Sequence, residues 1–281
     1  MELSCFAMRA HIINRGDEYL DEFCAFISHI EIVLTHLKSD TMLKSARYPC
    51  NEIMKHCWEE FNMNEMEIFA RMKEELYTGL VCDVMDEMGY RNQAMNFRVR
   101  PLEENNCKIA GRAKTILAAD IYEVYEHPYA PEIKAVDSIK PGEVPVVSTN
   151  CSVQNGVWGG LLSTATKMRG GTGAIVDGLM RDTAEIRALD FPVWSAGYMP
   201  LDSAGRGKVI DMDCPIKAGD VMVKPGDVIF ADFDGVVVIP SEIFEEVVAK
   251  AFEKHSKESH TRQELFEGKL LAEVYAKYGV L

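Results

Sequence analysis

The sequence predicts a mixed α/β layered domain, with short strands in the middle of the chain and helices at both ends. Apolar runs typical of strands, such as Val144–Ser148 and Phe191–Ala196, recur between residues 107 and 240. Residues 65–88 and 242–278 instead carry apolar side chains at helical spacing. We therefore expect two small sheets with helices packed outside them.

Composition and charge argue against several functional classes of protein. The chain has 281 residues, 47% of them hydrophobic, and a formal net charge of −14, which argues against nucleic acid as a partner. No apolar run is long enough for a membrane span, and the first residues lack an apolar signal core. None of the eight cysteines forms a Cys-x-x-Cys pair, which favours reduced thiols and a cytoplasmic location.

The first part of the chain differs from the rest. Residues 1–62 hold four of the eight cysteines and four of the seven histidines, with few strand signals. We expect an N-terminal extension over 1–62, helical in part, or a mis-called start upstream of Met63. The scattered histidines are more typical of structural or solvent-facing residues than of a metal cluster. A compact domain is expected over residues 63–281.

The candidate site lies in Trp158–Glu185, which predicts a helix, a buried strand and a second helix. Gly159 and Gly160 open the first helix. Its apolar residues recur at helical spacing: Leu161, Leu162, Ala165 and Met168. Three nearby glycines then end the helix: Gly170, Gly171 and Gly173.

A short strand, Ala174–Val176, is expected next, followed by a turn at Asp177-Gly178 and a helix starting near Arg181-Asp182. Asp177 is interpreted as a turn former in preference to an acid supporting the site. Each helix start carries unpaired backbone N–H groups that favour anions.

The polar side chains of this segment suit a keto-acid substrate. Arg181 offers a planar fork for a carboxylate, and Asp182 and Glu185 offer hard oxygen ligands for a divalent cation. Two alternative interpretations of these residues require no catalytic role. Asp182-x-x-Glu185 also fits a helix capping box, worth about 1 kcal/mol, and Arg181 also fits a surface ion pair.

Two other segments yield no site by sequence. His127, in a polar loop before Pro128, is interpreted as a surface residue in preference to a base. The loop Gly197–Val209 holds Arg206 and Lys208 beside glycines but lacks the Walker spacing. The chain also has no Gly-x-Gly-x-x-Gly after a strand, which excludes a dinucleotide fingerprint.

The central segment resembles the signature of the RraA-like family, which includes the 4-hydroxy-4-methyl-2-oxoglutarate/4-carboxy-4-hydroxy-2-oxoadipate aldolases. One variant of that signature matches Gly160, twenty residues, Arg181-Asp182, two residues, then Glu185. Further similar segments are GLVCDVMDEMG at 79–89, PGD at 225–227 and FDGVVVIP at 233–240. The resemblance runs from about Met63 to the C-terminus.

The resemblance implies a swivelling β/β/α-type domain with flanking helices, assembled as a homotrimer or hexamer with sites near subunit interfaces. It implies that Asp182 holds Mg²⁺ or Mn²⁺ and that Arg181 grips the pyruvyl carboxylate. Backbone N–H groups around the helix start would bind substrate oxygens: Gly159, Gly160, Leu161 and Leu162. The best-known aldolase pattern has Asp where this chain has Gly160, and Glu185 is the natural replacement for that acid.

These expectations together predict a divalent-metal-dependent lyase. It would cleave a 4-hydroxy-2-oxo acid to pyruvate, decarboxylate oxaloacetate, or both, through a pyruvate enolate. Arg181, Asp182 and Glu185 would be the catalytic residues, and a small keto acid the only expected partner besides other subunits. The alternative is a non-catalytic regulator of the same family that binds and inhibits a ribonuclease or helicase.

Overall fold

A computed structural model describes residues 65–280, which fall within the compact unit Met63–Leu281. The expectations for residues 1–62 concern a part of the chain outside the described residues. Within 65–280, no helix is both long and apolar enough to cross a membrane.

Helices flank a central set of strands, as the sequence predicts. The helices are α1 (65–75), α2 (Thr78–Glu87), α3 (Ala130–Asp137), α4 (Gly160–Met168), α5 (Thr183–Ala188), α6 (Phe244–Phe266) and α7 (Leu271–Tyr278). The first six strands are β1 (Arg100–Pro101), β2 (Ile109–Asp120), β3 (Glu143–Ser148), β4 (Gly156–Trp158), β5 (Ala174–Met180) and β6 (Val193–Tyr198). The remaining five are β7 (Gly207–Met212), β8 (Ile216–Ala218), β9 (Val221–Val223), β10 (Val228–Ala231) and β11 (Val236–Ile239).

Nine strands form one mixed sheet in the order β1-β6-β5-β3-β2-β10-β11, with β4 also paired to β5 and β7 also paired to β2. Strands β2 to β6 are joined by parallel pairings, whereas β1, β7, β10 and β11 pair antiparallel. Only β8 and β9 form a separate two-stranded sheet in the described part of the chain. The mixed α/β class is confirmed.

The expectation of two small sheets is wrong, and β2 is the reason. This strand has 12 residues. It pairs with β3 along one edge and with both β10 and β7 along the other. The long strand therefore joins the parallel strands and the antiparallel strands into one sheet.

The parallel pairings also determine where loops meet. Because β2, β3, β4, β5 and β6 run in one direction, the loops that follow them all leave the same edge of the sheet. Ligands of open α/β sheets bind outside this carboxyl edge. Any site built by the chain segments after β4 and β5 therefore has the loops after β2 and β6 as neighbours.

Strand β5 is longer than predicted and changes the role of Asp177. The strand continues to Met180, so the predicted end at Asp177-Gly178 is wrong. Asp177 is a buried mid-strand carboxylate that accepts hydrogen bonds from the backbone N–H and the hydroxyl of Thr149. It stabilises the loop after β3 and is not a turn former.

Helix α4 buries small residues completely and its apolar stripe only in part. Its buried residues are the small Gly160, Ser163 and Thr166. Leu161 is 85% exposed and Met168 is 78% exposed. Leu162 and Ala165 are partly buried against the core, so only Leu161 and Met168 of the apolar stripe stay on the outer surface.

Candidate active site

The predicted site residues follow the carboxyl ends of two adjacent parallel strands. Strand β4 ends at Trp158, β5 ends at Met180, and the two strands pair at these ends. The backbone N–H of Arg181 donates to the carbonyl of Trp158 at 2.8 Å. The glycines that begin α4 and the Arg181-Asp182 pair that begins α5 therefore lie side by side at the carboxyl edge.

Asp182 precedes α5 in a left-handed backbone conformation, with φ 55° and ψ 38°. Its carboxylate makes no hydrogen bond to the first turn of its own helix. Instead, Oδ2 accepts the backbone N–H of Gly160 at 3.2 Å, so it lies at the start of α4. The capping-box alternative is wrong for the side chain of Asp182, because the carboxylate serves the neighbouring helix. A non-glycine residue with positive φ is uncommon and is a frequent feature of functional sites.

The two glycines at the start of α4 create the space that Asp182 occupies. A methyl group on Gly159 would lie 2.6 Å from Asp182 Oδ2 and 3.2 Å from the Cγ of Arg181. A methyl group on Gly160 would lie 3.1 Å from the Cβ of Glu185. The stem of Glu185 therefore passes over Gly160, next to the position that a side chain at residue 160 would take.

Backbone donors at this helix start face the same region. The first N–H groups of any α-helix have no acceptor within the helix, and here these belong to Gly160, Leu161 and Leu162. The N–H of Gly160 is already used by Asp182. The donors of Leu161 and Leu162 are free of intrahelical partners and suit the oxygens of an anionic ligand.

Arg181 is held between two carboxylates. Its Nη1 lies 2.9 Å from Asp202 Oδ1, and its Nε lies 3.5 Å from Asp182 Oδ2. The Arg181 side chain is 33% exposed, so it is partly accessible to solvent while Nη1 contacts Asp202. This arrangement differs from a free surface ion pair, because Asp202 fixes the direction of the fork.

Asp202 comes from the loop after β6 and is itself held in place. Its carboxylate accepts a hydrogen bond from the hydroxyl of Tyr129 and another, at 3.2 Å, from the backbone N–H of Ala204. Burial alone would raise the pKa of Asp202, but these hydrogen bonds and the charge of Arg181 keep it below its usual value. Asp202 is therefore a permanently ionised partner of Arg181 at neutral pH.

A further carboxyl lies near this pair. Glu132 stands in the first turn of α3, three residues after Tyr129. Burial, with a smaller contribution from the charge of Asp202, raises the pKa of Glu132 to about 7, although the charge of Arg181 acts in the opposite direction. Two carboxyl groups with oppositely shifted pKa values thus share the surroundings of Arg181.

Sequence reasoning missed Asp202, Tyr129 and Glu132. In the loop that contains Tyr129 the sequence singles out only His127, and the loop that contains Asp202 resembles only a phosphate loop, without the required spacing. Neither loop carries a local motif for this role. The topology supplies the missing signal, because the loops after β2 and β6 leave the same edge as Arg181.

The acidic side chains suit only one class of metal. Within residues 65–280, no group of three or more His, Cys, Asp and Glu side chains is arranged around a common point. Asp182 offers a partly exposed carboxylate, and Glu185 lies exposed beside it. Mg²⁺ keeps several waters and commonly binds proteins through one or two carboxylates. This donor set fits such a hard, hydrated cation and does not fit a dehydrated zinc site.

Comparison with known proteins identifies the family. The family model described as RraA-like: Aldolase/RraA matches residues 78–238. A protein from Halalkalibacterium halodurans, provisionally named as a 4-hydroxy-4-methyl-2-oxoglutarate aldolase, is 30% identical over 69% of this chain and 87% of its own length. Protein DlpA of Legionella pneumophila is 28% identical over 77% of this chain, and the match spans only 35% of DlpA.

A solved structure agrees with the sequence comparisons. The crystal structure of Streptomyces coelicolor RraAS2, described as an unusual member of the RNase ES inhibitor RraA protein family, matches with a TM-score of 0.62. It is 28% identical, over 70% of this chain and 96% of its own. The fold and the family model thus confirm the resemblance seen in the central segment, and the chain belongs to the RraA-like family.

Proposed function

We propose that the chain is a divalent-metal-dependent lyase that cleaves a 4-hydroxy-2-oxo acid to pyruvate, decarboxylates oxaloacetate, or does both. One observation carries the proposal: the Asp182 carboxylate meets both the Arg181 guanidinium and the N-terminus of α4 at the carboxyl edge of the sheet. The proposed cation ligand Asp182, the proposed carboxylate-binding residue Arg181 and the backbone N–H donors of α4 therefore lie in one small region. The aldolase name of the Halalkalibacterium relative supports the same class of reaction.

Each residue has a proposed task. The free side of the Arg181 fork binds the carboxylate of the keto acid, and the N–H groups of Leu161 and Leu162 bind substrate oxygens. Asp182 holds the cation, Mg²⁺ or Mn²⁺, which supplies Lewis-acid stabilisation of the developing enolate when bound. Fixed donors at such a position are each worth on the order of 3–4 kcal/mol in the transition state.

Glu185 takes the place of an acid that this chain lacks at residue 160. Its Cβ would lie 3.1 Å from a methyl group on Gly160, so its carboxylate can reach the volume that an aspartate there would use. We propose that Glu185 orders the water around the cation beside Asp182. Its exposed position leaves it free to do so.

The proposed assembly is a homotrimer or a hexamer. Leu161 and Met168 lie seven residues apart on the outer face of α4 and are largely exposed in one chain. Burial of this face by a neighbouring subunit would place an interface beside the start of α4. A small keto acid is the proposed ligand, in a cytoplasmic setting.

A regulator is the second candidate function. The likeness to RraAS2, which is described as a member of an RNase ES inhibitor family, favours a protein that binds and inhibits a ribonuclease. Such a protein needs a surface and not a reaction centre. The Arg181–Asp182 arrangement favours the lyase.

Replacement of Arg181 by Ala distinguishes the two. For the lyase, pyruvate release from 4-hydroxy-4-methyl-2-oxoglutarate falls by about 100-fold or more while the oligomer stays intact, since a transition-state donor is lost. Arg187→Ala is the matched control, because Arg187 lies on α5 and pairs with Glu103 away from the site. No pyruvate release by the unchanged protein, together with ribonuclease inhibition that Arg181→Ala leaves intact, would support the regulator instead.

A further inference from the structure

We propose that Glu132 is the acid and base of the lyase reaction, which moves a proton between the C4 hydroxyl and C3 of the substrate. This inference rests on the proposed function and deepens it. The proposed function assigns neither Arg181 nor Asp182 to proton transfer, because Arg181 binds the substrate and Asp182 binds the cation.

Glu132 lies one helical turn from Tyr129, which contacts the partner of Arg181. Tyr129 and Glu132 are three residues apart at the start of α3, so their side chains share one face of the helix. The hydroxyl of Tyr129 donates to Asp202, and Asp202 in turn pairs with Arg181. Glu132 is therefore one helical turn away from a chain of contacts, Tyr129 to Asp202 to Arg181, that ends at the proposed substrate-binding arginine.

The carboxyl of Glu132 has no fixed task in the described structure. It is partly buried, and no hydrogen bond or ion pair from residues 65–280 satisfies it, although Asp202 and Arg181 act on it through their charges. A carboxyl that is withdrawn from water without a partner is unfavourable for the fold when ionised. Such groups are concentrated at functional sites.

Other charged groups on the elements packed against α3 are engaged elsewhere. On β7, Lys208 stacks on an aromatic ring at 3.8 Å, and Asp211 accepts a backbone N–H of its own strand. At the end of α4, Lys167 donates to backbone carbonyls and Arg169 pairs with Asp137. In the loop after β6, the guanidinium of Arg206 donates to a backbone carbonyl. Asp202 and Arg181 are therefore the charged groups that affect the pKa of Glu132.

The proposed step balances with a single carboxyl group. The Glu132 carboxylate takes the proton of the C4 hydroxyl as the C4=O bond forms and the C3–C4 bond breaks. The electron pair of that bond becomes the C2=C3 bond of the pyruvate enolate. The Glu132 carboxyl then gives the same proton to C3, a C3–H bond forms, and pyruvate leaves with the carboxylate restored. A carboxyl that is partly protonated near neutral pH can perform both halves.

The test compares three reactions of Glu132→Gln with those of the unchanged protein. Retro-aldol cleavage and the exchange of pyruvate methyl protons with D₂O both need a base at C3 or C4. We expect each to fall by about 100-fold or more, the usual contribution of a positioned acid or base. Oxaloacetate decarboxylation needs no base for bond cleavage, and the enolate can take its proton from solvent, so we expect it to fall by less than about tenfold.

Asp137→Asn is the matched control, because Asp137 lies at the other end of α3 and pairs with Arg169. Methyl exchange in Glu132→Gln within about threefold of the unchanged rate, with decarboxylation intact, would overturn the role of Glu132 and leave the lyase standing. An unchanged protein that neither decarboxylates oxaloacetate nor cleaves the hydroxy acid overturns the lyase, and the role of Glu132 falls with it.

Thermal stability gives a readout that does not depend on turnover. The pKa of Glu132 is raised to about 7 in the fold, so the carboxylate weakens the fold progressively as pH rises from its unfolded value to about 7. Glu132→Gln removes this penalty. We expect its Tm to match that of the unchanged protein at about pH 5 and to exceed it at about pH 8. A Tm difference that does not vary with pH would overturn the proposal.

Discussion

The backbone N–H of Gly160 donates a hydrogen bond to Asp182 Oδ2 at 3.2 Å, although the two residues are 22 positions apart. This contact joins the start of α4 to the start of α5. It places a carboxylate where the helix dipole and free N–H groups favour negative charge. The roles proposed for Arg181, Asp182 and the N–H groups of α4 depend on the position that this hydrogen bond gives to the Asp182 carboxylate.

Gly159→Ala is expected to abolish most of the activity. Its new methyl group would lie 2.6 Å from Asp182 Oδ2, so the carboxylate that holds the cation must move. A displacement of this size near the reaction costs about 100-fold in rate. Steady-state pyruvate release measures it. Gly79→Ala is the control, since its methyl group meets no atom closer than 3.6 Å, and equal activity of both variants would contradict the account.

Asp202→Asn is expected to lower kcat/KM by about tenfold, because a charge-assisted hydrogen bond worth roughly 1.5–3 kcal/mol no longer fixes the Arg181 fork. Tyr129→Phe removes a weaker contact to Asp202 and should have a smaller effect in the same direction. Asp211→Asn, an exposed change on β7, serves as the control. A rise in kcat/KM for Asp202→Asn would mean that Asp202 competes with the substrate for Arg181.

Asp177→Asn is expected to destabilise the fold without a direct effect on chemistry. Burial raises the pKa of Asp177, while N–H and hydroxyl donors of the loop after β3 hold its carboxylate in place. An amide must turn its own N–H₂ toward some of those donors, which costs about 1–3 kcal/mol. Denaturant unfolding measures the loss. Asp86→Asn, on the exposed face of α2, should leave the free energy of unfolding unchanged, and a similar loss in both variants would refute this role.

Met168→Glu tests the proposed subunit contact. The side chain is 78% exposed in one chain, so a charge there has little effect on the folded subunit. If α4 lies at an interface, the charge should be buried and the trimer or hexamer should dissociate, as light scattering after size exclusion can measure. Exposed Ile210 on β7 is the control position, as Ile210→Glu. A monomeric unchanged protein would contradict the assembly.

The sequence predicts the local elements of the site well, because glycines and apolar spacing mark them. The glycine start of α4, its glycine end and the start of α5 all lie where local rules place them. The start at Asp182 was predictable for the same reason, since Asp is common before a helix. Its carboxylate, however, contacts a residue 22 positions away, which no local rule reports.

Burial within the sheet could not be predicted in the same way. Helical spacing groups Leu161 and Met168 with Leu162 and Ala165, but only Leu162 and Ala165 pack partly against the core, beside the fully buried small residues of α4. Likewise, Asp177 looks like a turn residue until Thr149 supplies donors from another strand end. Glu132 and Asp202 join the site only through the parallel order of the sheet. The boundary between residues 62 and 63 stays a prediction.

The most direct test is pyruvate release from oxaloacetate and 4-hydroxy-4-methyl-2-oxoglutarate, above the enzyme-free rate, with Mg²⁺ and then with EDTA. The unchanged protein and Asp86→Ala should release pyruvate with Mg²⁺ and lose this activity in EDTA. Asp182→Ala should be inactive under both conditions while keeping its fold and assembly. Metal-independent release, or release by Asp182→Ala equal to that of the unchanged protein, would contradict the assignment of Asp182 as the cation ligand of a lyase.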